Sequence, residues 1–211
     1  IHTDEKYLTE IKSGATEFTI LGIPSDEFPE IPVVQEEQSI SLPQHLLKSM
    51  IDQTLFAIST NDSKPVHTGS LFQLEDGELR VVSVDGFRLA LRREKVSAEG
   101  SAQFIIPGKT LSEMNKLLSD EEDEETRLYL SRKHVVVQIG QYKVISRLLE
   151  GEFLDYKAAI PAGSNSTVTV DVRPLIDSIE RTSLLISDRL KSPLRIHFEE
   201  NQIKMSCSTA I

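Results

Sequence analysis

The chain has 211 residues, 39% of them hydrophobic and 27% charged, which is typical of a globular protein with a sizeable core. No stretch approaches the roughly eighteen apolar residues of a membrane helix. The single cysteine, Cys207, excludes an intrachain disulfide and fits a reducing cytoplasm. The formal net charge of −10 argues against a protein that grips nucleic acid by bulk electrostatics, since such proteins cluster lysine and arginine.

The first forty or so residues predict a β-hairpin. Its strands and turn are Tyr7–Ile11, Ser13-Gly14 and Thr16–Leu21. A strand near Ser39 follows, and apolar residues at helical spacing then predict a helix over Gln44–Ser59.

The middle of the chain predicts a meander of strands through Leu71, Val81 and Leu89, with a tight turn at Glu75-Asp76-Gly77. A strand, a helix and three further strands complete this region of the chain. They are Ala102–Ile106, helix Lys109–Leu118, Arg127–Leu130, His134–Ile139 and Tyr142–Leu149.

The chain repeats itself at an offset of 128 residues. The segment from Leu47 reads LKSMIDQTLFAIS, and the segment from Leu175 reads LIDSIERTSLLIS. The second copy predicts a helix over Pro174–Ser187 followed by a hairpin, with strands Leu194–Phe198 and Gln202–Cys207. A repeat this long indicates tandem copies of one domain.

This repeat divides the chain into three predicted segments of an α+β protein. Residues 1–38 are the end of a first domain, residues 39–162 a complete second domain, and residues 163–211 the start of a third. The sequence therefore reads as a fragment, or an incompletely observed protein, built from tandem copies of one domain.

Four short stretches carry a resemblance to a known family, and their order and spacing cover nearly the whole chain. They read LG…EFP from Leu21, SVDGFRLA from Ser83, FIIPGKTL from Phe104 and SRLLEGEF from Ser146. In this order they resemble the bacterial DNA sliding clamps, the beta subunits of DNA polymerase III.

The resemblance implies a fold and a function. Three domains of one type lie in a row in this family, with antiparallel sheets outside and helices lining a ring that two chains close head to tail. The ring encircles duplex DNA without reading its sequence and carries out no chemistry. It tethers the replicative polymerase, as polymerase III alpha, and also binds clamp-loader subunits, other polymerases and repair proteins through linear peptides. No cofactor, metal or membrane is implied.

The resemblance also implies a peptide-binding pocket between the second and third domains. Carried over by position, its wall consists of His67, Val84, Gly86, Phe87, Arg88, Leu89, Leu154, Ala158 and Ala159. Leucine side chains can desolvate an apolar anchor, and a glycine lets a peptide approach the backbone. This chain departs from the family pattern at three of these positions, where the family usually has a large apolar residue for His67, histidine for Phe87 and proline for Leu154. Without the resemblance, Leu89 and Leu154 would be read as ordinary core residues.

Two further sets of residues follow from the ring. The residues expected to face DNA are Lys48, Asn61, Lys64, Lys109, Lys116 and Arg181. The residues expected at the seam between two chains of a homodimer are Phe18, Ile20, Leu184 and Leu185. Scattered lysines are ordinarily a solvated face, so the first set depends on ring closure to surround phosphates.

Other readings of the chemistry stay open. The acidic run Asp120–Glu125 fits either a solvated loop, which we favour, or the metal site of an enzyme. Gly108-Lys109-Thr110 resembles the end of a phosphate-binding loop, but Gln103 stands where that motif needs glycine, which favours a helix start. A tandem-domain interaction scaffold without a DNA role is the alternative function.

Overall fold

The computed structural model describes residues 1–28, 38–61, 63–184, 186 and 193–208. The chain forms two compact units, Ile1–Lys157 and Ala158–Ile211, each of which has its own elements. The predicted domain segments 1–38, 39–162 and 163–211 remain an interpretation of the repeat.

The first unit begins with a three-stranded antiparallel sheet in the order β1-β2-β3. Its strands are β1 (His2–Thr3), β2 (Leu8–Ser13) and β3 (Thr16–Leu21). The predicted hairpin is confirmed, but its first strand starts at Leu8, because Tyr7 has a φ of 62° that no strand accommodates. A short 3-10 turn, Ser25–Glu27, follows.

The rest of this unit consists of two halves, each a strand, a helix and a three-stranded meander. The elements of the first half are β4 (Gln38–Pro43), α1 (Gln44–Asp52), β5 (Gly69–Glu75), β6 (Glu78–Val84) and β7 (Leu89–Lys95). Those of the second half are β8 (Ala102–Pro107), α2 (Gly108–Leu117), β9 (Glu125–Leu130), β10 (His134–Ile139) and β11 (Tyr142–Arg147).

The two halves exchange their first strands. One sheet has the order β7-β6-β5-β8 and the other β11-β10-β9-β4, with every pairing antiparallel. The predicted meander and its turn are confirmed, and Asp76 and Gly77 both have positive φ, as a tight hairpin turn of type I′ requires. Each half therefore completes the sheet of the other, so the two halves form a single cooperative structure.

A single large core lies among the two sheets and the two helices. Alternate residues of β5 and β6 point into it, so Phe72 and Val81 are fully buried, and Phe72 stacks on Phe104 with ring centroids 5.4 Å apart. The helices contribute Leu47, Met50, Ile51, Leu111 and Met114. This is the apolar face that the helical spacing predicted.

The two helices contact each other, and Asn115 Nδ2 of α2 donates a hydrogen bond of 2.7 Å to Asp52 Oδ1 of α1. The prediction of helix Lys109–Leu118 is correct within one residue. The prediction of helix Gln44–Ser59 is wrong in its length, because the Thr54 hydroxyl donates to the Met50 carbonyl at 2.7 Å and the chain then tightens into a 3-10 turn, Leu55–Ala57.

The second unit follows a short helix, α3 (Tyr156–Ala159), whose residues divide between the units. It contains α4 (Val172–Ser183) and a hairpin of β12 (Arg195–Glu199) and β13 (Gln202–Ser206). The predicted helix and hairpin are confirmed as element types. The helix starts earlier than Pro174, which its first turn tolerates, and the predicted end at Ser187 lies outside the described residues.

An open cleft of about 730 Å³ lies between α4 and the hairpin of the second unit. Leu175, Phe198 and Met205 line it and are only partly buried or exposed. Leu47, which the repeat relates to Leu175, is fully buried in the first unit, where the second half covers α1.

Candidate functional site

A second, smaller core lies on the opposite face of the β7-β6-β5-β8 sheet. Leu71, Val82, Val84 and Ile105 alternate in sequence with the residues of the large core and form one buried cluster with Phe153 and Tyr156. A sheet that is apolar on both faces must be covered on both. Here the segment that follows β11, residues 148–157, covers the outer face.

Specific contacts hold this segment in place. The backbone N–H of Leu149 donates to the carbonyl of Ile105 at 3.0 Å, and the Tyr156 hydroxyl donates to Gln73 Oε1 at 2.6 Å. Phe153 meets the ring of His67 edge to face, with centroids 5.3 Å apart and an interplanar angle of 72°. These contacts fix the backbone of Leu154, whose own side chain stays 43% exposed.

Gly69 allows the segment to approach the sheet closely. A Cβ at this position would lie 2.9 Å from Leu149 Cδ1 and closer still to the carbonyl oxygen of Ile106. Since the second of these groups is backbone and cannot move aside, any side chain at Gly69 would displace the strand or the covering segment.

The turn between β6 and β7 borders this cluster. Asp85 Oδ1 accepts hydrogen bonds from the backbone N–H groups of Phe87, at 3.0 Å, and Arg88, at 3.2 Å. Asp85 Oδ2 pairs with Arg88 Nε at 2.9 Å. The N–H of Phe87, together with Arg88, lowers the pKa of the Asp85 carboxyl. Gly86 has a φ of 90°, so the turn presents Phe87 with 99% of its surface exposed.

The residues predicted to form the pocket wall lie in both units. In the first unit, Leu89 packs against the second core but is only half-buried, and His67 is also half-buried. Val84 is a buried member of this core, so little of its side chain is available to contact a peptide. In the second unit, Ala158 and Ala159 are exposed on α3.

Protonation of His67 should destabilise the fold. Burial, and secondarily the charge of Lys64, lowers the pKa of the His67 imidazole below its usual 6.5. Since the unfolded chain binds the proton more readily, the stability contributed by neutral His67 is complete above about pH 6.5 and is lost as the pH falls through the folded-state pKa. Urea unfolding of the wild type and of His67→Gln, from neutral to mildly acidic pH, measures this. The wild type should lose stability more steeply, and equal slopes would contradict the expectation.

Two of the lysines predicted to face DNA form ion pairs within the chain. Lys48 Nζ pairs with Asp120 Oδ2 at 2.6 Å, and Lys116 Nζ pairs with Glu113 Oε1 at 2.8 Å. The other predicted residues are exposed; they are Asn61, Lys64, Lys109 and Arg181. The two ion pairs reduce the positive charge that the helices of the first unit could offer to phosphates.

The residues predicted at the subunit seam are exposed where they are described. Phe18 and Ile20 alternate on β3, which has β2 as its only neighbour within the described chain. Leu184 is exposed at the end of α4, and Leu185 lies outside the described residues.

The acidic run leads from α2 into β9 and is exposed to solvent. In the described ranges, no three His, Cys, Asp or Glu side chains are grouped so that they could hold a metal ion. Gly108-Lys109-Thr110 opens α2, as predicted. None of the helices in the described segments is long and apolar enough to cross a membrane.

Sequence reasoning missed two features near the turn. Phe153, at the centre of the covering segment, ends the SRLLEGEF motif, but nothing in that motif indicates that its ring contacts His67. The Arg88 guanidinium lies 5.8 Å above the ring centroid of Phe56, a residue from the 3-10 turn after α1. Only the fold brings these side chains together.

Comparison with known proteins identifies the family. Residues 41–155, more than half of the chain, match the family model of the central domain of the DNA polymerase III beta subunit. The chain is 36% identical over 187 residues to the beta sliding clamp of Bacillus subtilis, covering 88% of this chain and 49% of that protein. It is 32% identical over 210 residues to the beta sliding clamp of Staphylococcus epidermidis strain RP62A, covering 99% of this chain and 55% of that protein.

Solved structures agree. The DNA polymerase sliding clamp of Bacillus subtilis superposes with a TM-score of 0.83 at 30% identity, over 99% of this chain and 59% of that chain. The DNA polymerase III beta subunit of Thermotoga maritima gives a TM-score of 0.83 at 28% identity, over 96% of this chain and 55% of that chain. The chain thus spans about half the length of these relatives. It belongs to the family of bacterial DNA polymerase III beta subunits, with the α+β fold of the sliding clamps.

Proposed function

We propose that this chain belongs to a DNA sliding clamp, a non-catalytic processivity factor. Two copies close into a ring around duplex DNA in the cytoplasm, with no membrane association. The ring tethers polymerase III alpha, the clamp loader, and other replication and repair proteins through linear peptides. The observation that carries this proposal is the match of residues 41–155 to the central domain of the beta subunit.

Encirclement fits the charges of the chain. With a net charge of −10 and two of the helix lysines held in ion pairs, direct phosphate binding is weak, and topology must provide retention. Contacts from Asn61, Lys64, Lys109 and Arg181 would go to phosphates, which carry no sequence information, so the ring can slide. Tethering then raises the effective concentration of a bound polymerase at the primer end.

Retention on circular DNA tests encirclement. The protein is incubated with nicked circular plasmid, a clamp loader and ATP, and DNA-bound protein is isolated by gel filtration before and after the plasmid is linearised. A clamp stays on the circle and is lost from the linear form. Failure to remain on circular DNA, or equal retention on both forms, would contradict the proposal.

Linear duplex DNA should bind this chain weakly. We expect a dissociation constant well above micromolar at low salt, because the net charge of the chain is −10 and Lys48 and Lys116 are held in ion pairs. Fluorescence anisotropy with a labelled duplex measures it, and Lys109→Glu should change it little. Submicromolar affinity would require a dense phosphate-binding surface and would contradict the topological mechanism.

A further inference from the structure

We propose that the outward face of the β11-β10-β9-β4 sheet, the face opposite the large core, is a docking surface for an extended acidic segment of a partner protein. Residues 126–147, which form most of this sheet, contain five lysines and arginines and no aspartate or glutamate, in a chain that has 33 acidic residues. The helices α1 and α2 contribute to the large core on the other side of the sheet. The surface is therefore separate from the helix residues predicted to face DNA and from the predicted pocket.

Strand alternation places the basic side chains on one face. Leu128, Val135 and Val137 belong to the large core, so their neighbours along the strands point away from it. The pairing of β9, β10 and β11 then arranges the outward residues in three cross-strand rows. These rows are Arg127-Gln138-Lys143, Tyr129-Val136-Ile145 and His134-Arg147. An apolar row is thus flanked by two rows that carry cations.

The cations of this face are available to a partner. Arg127 and Lys143 are exposed, and within the described residues neither side chain forms an ion pair or a hydrogen bond. The Arg147 side chain is 69% exposed, and its contact with Glu150 is long, at 3.7 Å. Among the outward strand positions that the structure describes, only Glu125 is acidic, at the first residue of β9. The face therefore carries positive charge that its own strands do not balance, and it should attract an acidic partner.

The spacing of the rows fits an extended polypeptide. Successive rows are two residues apart along the strands, or about 6.6 Å, and alternate side chains of an extended segment have the same spacing. A segment that lies along the strands can therefore place acidic residues at its first and fifth positions over the two basic rows. Its third residue, if apolar, then contacts Tyr129 and Ile145, which are half-buried.

The apolar row favours a protein over a single-stranded nucleic acid. Proteins that bind single strands offer exposed aromatic rings on which bases stack. Tyr129 is only half-exposed beside Val136, whose own side chain is 3% exposed. A small aliphatic side chain can cover such a row, whereas a base would find no free ring to stack on.

The test uses two peptides with blocked termini and equal composition, Ser-Glu-Ser-Val-Ser-Glu-Ser and Glu-Glu-Ser-Ser-Ser-Val-Ser. Each is titrated into the whole isotope-labelled chain, and backbone chemical shifts are followed. The first peptide should shift resonances of β9, β10 and β11 and bind about two- to fivefold more tightly than the second, the gain expected from one additional ion pair at an exposed site. Lys143→Gln and Arg147→Gln should each weaken the first peptide by a similar factor.

Arg93→Gln is the matched control, because Arg93 is also an exposed arginine on a strand but belongs to β7 of the other sheet. It should leave both affinities unchanged. Equal binding of the two peptides, an equal loss in Arg93→Gln, or no binding of the first peptide at millimolar concentration would overturn the proposal.

An oligothymidylate of twelve nucleotides, titrated in the same buffer, tests the other class of partner. The wild type should bind it more weakly than the first peptide. If it binds more tightly and loses affinity in Lys143→Gln and Arg147→Gln, the face is a nucleic-acid surface and the proposal is wrong. None of these measurements requires a closed ring, so their failure leaves the proposed function untouched, and loss of retention on circular DNA does not affect them.

Discussion

Replacing Phe153 with alanine should lower the free energy of unfolding by about 3 kcal/mol, the lower end of the range for a buried phenylalanine. Phe153 is 6% exposed and joins the covering segment to the second core and to the ring of His67. Its removal leaves a cavity under the covering segment. Urea unfolding followed by circular dichroism measures the loss, since the chain has no tryptophan.

The same substitution should also weaken the candidate peptide site, because the backbone before Leu154 loses its anchor. Limited proteolysis should then cut within residues 148–157 faster than in the wild type. Phe87→Ala is the matched control for stability, since that ring is 99% exposed and should change unfolding by less than about 0.5 kcal/mol. A loss below about 1 kcal/mol for Phe153→Ala would show that the segment is held without this side chain.

Replacing Leu89 with alanine should weaken peptide binding by about 1–3 kcal/mol while changing stability by about 1 kcal/mol or less. Leu89 is half-buried against the second core, and its free surface adjoins the turn that presents Phe87 and Arg88. An apolar side chain left partly exposed at such a place gains most when a partner covers it. Titration with a short linear peptide that carries a leucine anchor measures the affinity.

Leu91→Ala is the control for this substitution, because Leu91 lies on the same strand, two residues further from the turn, and is also partly exposed. It should leave peptide affinity unchanged. If Leu89→Ala unfolds the protein and peptide affinity per folded molecule stays intact, Leu89 is a core residue and the assignment of the pocket is wrong.

The exposed residues of β3 and of the end of α4 fit the proposed ring. Their predicted role needs two chains, whereas that of the peptide site does not. Phe18 and Ile20 lie on an edge strand, and an exposed apolar edge favours pairing with another chain. The contacts of the β6–β7 turn, in contrast, are complete within one unit. The contacts of this turn can therefore be tested on a single chain, whereas the seam needs the assembled protein.

Local pattern in the sequence was sufficient for most element types. Apolar spacing predicted α2, and alternation bounded by turn residues predicted the strands β3 and β10 with their observed limits. Asp76-Gly77 predicted its hairpin, because few residues other than glycine and asparagine or aspartate accept positive φ at both central positions of the turn. The repeat of 128 residues predicted like domains, and the four motifs predicted the family.

Only the tertiary structure decided which distant segments meet. The pairing of β4 with β9 and of β5 with β8 joins residues far apart in sequence, and periodicity within a strand carries no information about its neighbour. The early end of α1 depends on burial of Ala57 and on a hydrogen bond from Thr54, although the apolar spacing continues. The tertiary structure also brings Phe153 to His67 and Arg88 to Phe56, since the residues of each pair come from distant segments. Sequence pattern determines which face of an element is apolar, whereas packing against the whole fold determines what that face touches.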